Sequence, residues 1–222
     1  MVSVAAELPA GDVLQRLRAT TGPGRVQHLV PAPPELAGLL PEGGLRPGSA
    51  YSVAGGALLL ALLAEPSAAG SWCGVVGIPE LSAEAARSAG VALDRLALVP
   101  HPGERWLSVV AALAEVLPVV AVRPAARVRD ADAARLAARL RERSTVLLVC
   151  GDWPRVEASV GLRRARWDGL GQGRGYLTGR EVEVTVTTRH TPVPRAVRLR
   201  LPDQAGRLAA AAAAPTELRV AG

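Results

Sequence analysis

The sequence of 222 residues contains no lysine and no phenylalanine; all 26 of its basic residues are arginines. The missing ε-amine excludes Schiff-base chemistry, an SxxK-type base and the phosphate-gripping lysine of a P-loop. Cysteine is scarce as well. Cys73 and Cys150 are the only two, 77 positions apart and each inside an apolar run. That spacing gives neither a disulfide framework nor a zinc site, and it fits buried reduced thiols in a cytosolic protein. The longest apolar stretch, Ser52 to Ala64, is too short and too rich in glycine and alanine to span a bilayer. The N-terminal MVSVAAELPAGD carries acids where a secretion signal carries positive charge. The expected location is therefore the cytoplasm, with no membrane partner.

What is present is ordinary for a globular α/β chain: 49% hydrophobic and 21% charged residues. A chain of this length can bury roughly 70% of its extended surface without a metal or disulfide staple. The net charge of +6 is unevenly placed. Residues 1–120 carry seven arginines against ten acids, a balance of −3. Residues 121–200 carry seventeen against eight, +9, and the last 22 residues carry two of each. A basic half built only of guanidinium groups suits phosphate or carboxylate contacts, or simply forms a solvated arginine surface.

Periodicity divides the chain into an N-terminal helix and linker (1–34), a core (35–202) and a tail (203–222). Asp12 to Ala19 reads as a short amphipathic helix, and Pro33 to Gly48 as a short apolar helix closing in a Gly-Gly turn. Then strands (Tyr51–Ala54, Trp72–Ile78, Leu96–Val99, Val119–Val122, Val146–Cys150) alternate with helices (Ala57–Glu65, Ser82–Ser88, about Glu104–Val116, Asp130–Arg143). Continuous apolar strands in such an alternation predict a mostly parallel sheet flanked by helices. Residues 155–175 are basic and glycine-rich. After them Glu181–Arg189 and Arg195–Leu201 alternate with period two, as an antiparallel edge hairpin would. Asp203–Ala214 reads as a C-terminal helix.

A parallel sheet places ligands at the carboxyl ends of its strands. The first strand there runs into VAGGALLLALL, where Gly55 and Gly56 pass straight into Ala57, Leu58 and Leu59. A phosphate loop needs several residues between its glycines, then a lysine and a hydroxyl for phosphate and Mg²⁺. The strand ending at Val122 carries Arg123 where a metal-binding acid would be needed. Glu80 stands alone after the Gly77–Ile78–Pro79 turn. These residues make up a degenerate nucleotide site (Gly55, Gly56, Arg123), and no catalytic residue, metal ligand or cofactor is expected. His28, His101 and His190 fall in different elements and suggest no metal site.

The most unusual local chemistry is Arg163, Arg164, Arg166, Trp167, Arg174 and Tyr176 around GLGQGRG. Four arginines and two aromatics could follow a DNA backbone and stack on bases. The same residues also suit a hairpin whose glycines permit positive φ, with Trp167 and Tyr176 packed on the sheet edge. From the residues both readings stand.

The order GGLRPGSAYSV, SWCGVVGIPE, EAARSAGVALDRLALVPHPGERWLSVVAAL, VLPVVAVRP, RSTVLLVCGDWP resembles the RecA-type recombinase core over about residues 36–200. ARSAGVALDRLALVPHPGE is its most specific piece. The later RRARWDGLGQGRGYLTGREVEVTV is similar to the ImuA family, RecA-like proteins (some labelled SulA-like) of damage-inducible mutagenesis cassettes. The chain departs from RecA at the Walker A loop, Val53 to Leu58, and at the Walker B acid, Arg123. The resemblance implies a non-catalytic pseudo-ATPase acting in DNA repair, as an accessory factor of SOS mutagenesis and translesion synthesis. Its partners would be an inactive ImuB-type Y-family polymerase homologue, an error-prone replicative-type polymerase, the sliding clamp and, indirectly, RecA. The basic hairpin and the tail after Leu201 are the candidate contact surfaces. The alternatives are a single-stranded DNA-binding module, with weak, salt-sensitive affinity, and a SulA-like cell-division inhibitor.

Overall fold

A computed structural model describes residues 2–3, 28–168, 179–191, 193–203 and 205–211. It is a mixed α/β fold around one ten-stranded sheet. In chain order the elements are β1 (Val2–Ser3), α1 (Pro34–Ala37), β2 (Ala50–Val53), α2 (Gly56–Ala68), β3 (Cys73–Val76), α3 (Ala83–Ser88), β4 (Leu96–Val99), α4 (Trp106–Ala114), β5 (Val119–Val122), α5 (Asp130–Arg143), β6 (Val146–Val149), β7 (Ala158–Asp168), β8 (Gly179–Thr188), β9 (Arg195–Arg200) and β10 (Ala209–Ala210). Across the sheet the order is β1-β4-β3-β5-β6-β2-β7-β8-β9-β10. Pairing is parallel from β1 to β7 and antiparallel from β7 to β10.

The strands read as unbroken apolar runs because both faces are covered. In β5, Val119 and Ala121 face the core shared with α1, α2 and α3, while Val120 and Val122 face the core shared with α4 and α5. The same alternation sends Val146 and Leu148 one way and Leu147 and Val149 the other. α2 is buried nearly all round, through Leu58, Leu59, Leu60, Leu62 and Leu63, as a helix with no polar face must be. α3 starts where Ser82 Oγ accepts from the Ala85 N–H at 3.3 Å, and Gly90, at φ +99°, follows its end.

On the second face, Thr145 ties α4 to β6. Its buried hydroxyl lies 2.8 Å from the Ala114 carbonyl and 3.1 Å from that of Leu117. The arginine stripe of α5 is not a freely solvated face. Arg139 and Arg143 both grip Glu115 at the end of α4, at 3.0 and 2.6 Å, and Arg135 pairs with Asp132.

One expectation for the chain after Gly151 needs correction. The basic stretch opens as an eleven-residue strand, β7, antiparallel to β8, as the hairpin reading of Arg163–Tyr176 has it. The expected C-terminal helix Asp203–Ala214 is not helical in its described part. Asp203 Oδ1 accepts from the N–H groups of Ala205 and Arg207, both at 2.8 Å. The chain then pairs as β10 with β9. A polyalanine run has helical propensity but no amphipathic face to pack, and the carboxylate-bound turn hands it to an open strand edge instead. The helix expected at Asp12–Ala19 lies outside the described residues, as do residues 212–214.

Candidate functional site

The carboxyl ends of the parallel strands hold Gly55, Gly56 and Arg123, the residues expected to form a degenerate nucleotide site. Ala54, Gly55 and Gly56 form an exposed turn, with Gly55 at φ +83° just ahead of α2. Protein bonds anchor this turn. The Ala54 N–H donates to the Val160 carbonyl of β7 at 2.9 Å, and the Leu59 N–H to the Gly55 carbonyl at 3.2 Å. Ser52 Oγ donates to the Gly151 carbonyl at 2.9 Å, joining the ends of β2 and β6. A Leu162 methyl lies 3.4 Å from where a Cβ on Gly55 would stand, so an apolar side chain from β7 flanks the turn.

Next along the sheet, β3 and β5 send their chains to opposite faces. Here Gly77, at φ +72°, passes so close to the Arg123 carbonyl that a Cβ would stand 2.7 Å from its oxygen. The Gly77 N–H bonds the Val99 carbonyl and the Arg123 N–H bonds the Val76 carbonyl. Glu80, expected to stand alone, is instead ion-paired and hydrogen-bonded to the Arg123 guanidinium. Its carboxyl is held below the usual range by its own backbone N–H first and by Arg123 second. The acid nearest this strand end is therefore neutralised by an arginine, an arrangement suited to bracing two loops and opposed to gripping a cation. The half-buried Cys150 thiol is pushed up by burial, with Arg123 pulling the other way. Cys73 is fully buried and pushed up to about 12. Among the described residues no cluster of three or more His, Cys, Asp or Glu could hold a metal ion.

The basic candidate residues divide between two faces of the antiparallel arm. Register pairs Arg163 with Glu183 and Glu183 with Arg198, and likewise Arg166 with Glu181 and Glu181 with Arg200. One face of the arm thus carries two rows of arginine on β7 and β9, with a row of glutamate on β8 between them. Arg164, at the bulge between Arg163 and Arg166, has φ +49° and reaches Glu183 at 3.6 Å. Trp167 pairs in register with Arg180 on the opposite face, beside Val182 and the apolar core. The Arg180 guanidinium stacks over the Trp167 ring, 5.3 Å from its centroid, and Arg180 Nε donates to the Leu201 carbonyl at 2.9 Å. Trp167 remains half exposed.

The structure therefore brings Arg163, Arg164 and Arg166 together and sets Trp167 apart from them. Arg174 and Tyr176 lie outside the described residues. Glu181, Glu183, Arg198 and Arg200 complete the arginine-bearing face and were not singled out in the sequence. Their signal was nonetheless there, because EVE and RLR each place like charges two residues apart, opposite in sign between the two runs and in phase for an antiparallel ladder.

No helix among the described residues is long and apolar enough to cross a membrane. The chain is similar to the uncharacterized protein Rv3395c of Mycobacterium tuberculosis (strain ATCC 25618 / H37Rv), 32% identical over 180 residues that cover 80% of this chain and 77% of the relative. Residues 38–155, from the end of α1 through β6, match the model of the MT3502 N-terminal domain, and the chain belongs to that family.

Proposed function

We infer that the protein is a non-catalytic accessory factor that works by holding other proteins, in the manner of the ImuA family it resembles. Its place would be damage-induced translesion synthesis and mutagenesis, beside an ImuB-type Y-family polymerase homologue and an error-prone polymerase. The observation that carries this reading is the pairing of Arg123 with Glu80 at the carboxyl end of the sheet, beside a Gly55–Gly56 turn that passes straight into α2. Phosphoryl transfer needs a loop of N–H groups, a free cation and a metal-binding acid at that end. An arginine paired with the nearest acid supplies neither of the last two, and two adjacent glycines leave no length for the loop.

The test is genetic and biochemical together. Deleting the gene should lower the damage-induced mutation frequency of the host, with restoration by the wild-type chain. The purified protein should bind the purified ImuB-type homologue without added nucleotide. Mg²⁺-dependent ATP hydrolysis above background, or an unchanged mutation frequency, would count against the reading. A second reading, direct single-stranded DNA binding, draws on the +9 balance of residues 121–200 and predicts affinity that falls steeply with salt.

A further inference from the structure

The accessory reading leaves open where a partner is held, and the charge rows of the antiparallel arm bear on that question. Arg163, Arg164, Arg166 and Arg198 are exposed, while Glu181, Glu183 and Arg200 are half-buried among them. Five guanidinium groups share the face with three acids, because Asp168 follows Arg166 on β7 by register, so arginine is in excess. The rows are not uniform. Strands lie about 4.8 Å apart and same-face residues of one strand about 6.7 Å apart, so the face reads plus, minus, plus across its width. A polyanion laid over it would meet the glutamate row as well as the arginines. Trp167, the described aromatic on the arm, is turned to the other face, so among the described residues this face holds no platform for base stacking. A protein surface whose acids straddle a basic or neutral centre meets every row with its complement, and arginine forks match carboxylates bidentately. The neighbouring positions are small. Ser159, Gly161, Thr185 and Ala196 continue the same face by register, all with small side chains.

We propose that this solvent face of β7, β8 and β9 is the partner-docking surface, and that its occupant is an acid-bearing protein surface. It rests on the accessory reading above, with the ImuB-type homologue as the partner tested. The experiment measures binding of the full chain to that purified homologue by biolayer interferometry at two salt concentrations. The variants are Arg163→Gln/Arg198→Gln, which removes charge without placing a like charge beside Glu183, and Arg163→Glu/Arg198→Glu, which reverses it. Arg135→Glu, on the exposed side of α5, is the control, and thermal melting verifies that each variant folds.

The glutamine pair should lose at least tenfold in affinity at low salt and the reversal more, with the control unchanged. The losses should shrink as salt screens the surface. Wild-type affinity in both pairs would overturn this surface while leaving the accessory reading intact. Failure of the wild-type chain to bind the homologue at all would overturn both. Loss of affinity for a labelled oligo(dT), with the homologue still bound normally, would reassign the face to nucleic acid and overturn the proposal.

Discussion

The contact between Gly77 and Arg123 makes a stringent test of how the carboxyl end of the sheet is built. Alanine at position 77 must adopt φ near +72°, a left-handed conformation that costs a residue with a Cβ about 1–2 kcal/mol. It must also find room for a methyl group whose carbon would stand 2.7 Å from the Arg123 carbonyl oxygen. That oxygen cannot simply swing away. The Arg123 N–H is bonded to Val76 at 3.0 Å and the Gly77 N–H to Val99 at 2.9 Å, so both backbones are pinned in the sheet. Overpacking of this kind adds about 1–3 kcal/mol, and Gly77→Ala should cost about 2–5 kcal/mol in total. At about 2–4 °C per kcal/mol for a chain of this size, the melting temperature should fall by roughly 5–15 °C. Gly43→Ala is the internal reference, with φ +82° but nothing within 4 Å of its would-be Cβ; it should show only the conformational cost, about 1–2 kcal/mol. Urea titrations at matched m-values give both numbers. Equal losses at the two positions would refute the close approach, and with it the argument that β3 and β5 are braced together at this end.

Three more outcomes follow from the same structure. Thr145→Val should cost about 1–3 kcal/mol in urea unfolding, because two buried carbonyls lose their donor; Thr145→Ser should restore most of it, and equal stability of Val and Thr would contradict the tether. Millimolar Mg²⁺–ATP should leave the thermal midpoint unmoved, whereas a ligand present at one hundred times its dissociation constant would add about 2.7 kcal/mol; a Mg²⁺-dependent rise of several degrees in differential scanning fluorimetry would reopen the nucleotide question. Stability should fall as pH rises from about 9 towards 12. Burial raises the Cys73 thiol from 9.0 to about 12 and the Tyr51 hydroxyl from 10.0 to about 12, so the unfolded chain ionises first and gains. A flat urea midpoint across that range would contradict the burial of both groups.

Much of the parallel half was legible because its physics is one-dimensional. Val119–Val122 and Asp130–Arg143 appear with their expected ends, since an unbroken apolar run and an amphipathic period with acids in its first turn and arginines in its last each specify their own element. β7 was legible only as one arm of a possible hairpin, without its bounds, for a specific reason. Ser159, Gly161 and Arg163 alternate with Val160 and Leu162, but the bulge at Arg163–Arg166 then shifts the phase. A period-two pattern that changes phase among arginines hides where the strand begins and ends. Pairing is also what the sequence leaves unstated at the site. Arg123 and Glu80 are 43 positions apart, and neither residue advertises the other; the sheet order, with β5 beside β3, brings them together.

The division of labour between the two ends of the sheet follows from how each satisfies its polar groups. At the parallel end Ala54 is bonded to Val160, Ser52 to Gly151, and Arg123 is neutralised by Glu80. An anion arriving at Arg123 would have to break that ion pair before making its own. On the antiparallel arm the balance is reversed. Each central glutamate has arginine neighbours on both sides in register, which leaves guanidinium groups in excess, exposed to water at Arg163 and Arg198. Such groups retain directional donors that a carboxylate-bearing surface can take up at low cost in reorganisation. On the proposed reading a partner finds its chemistry on the arm that extends the sheet beyond β2, and the Ala54–Val160 bond ties that arm to the parallel strands.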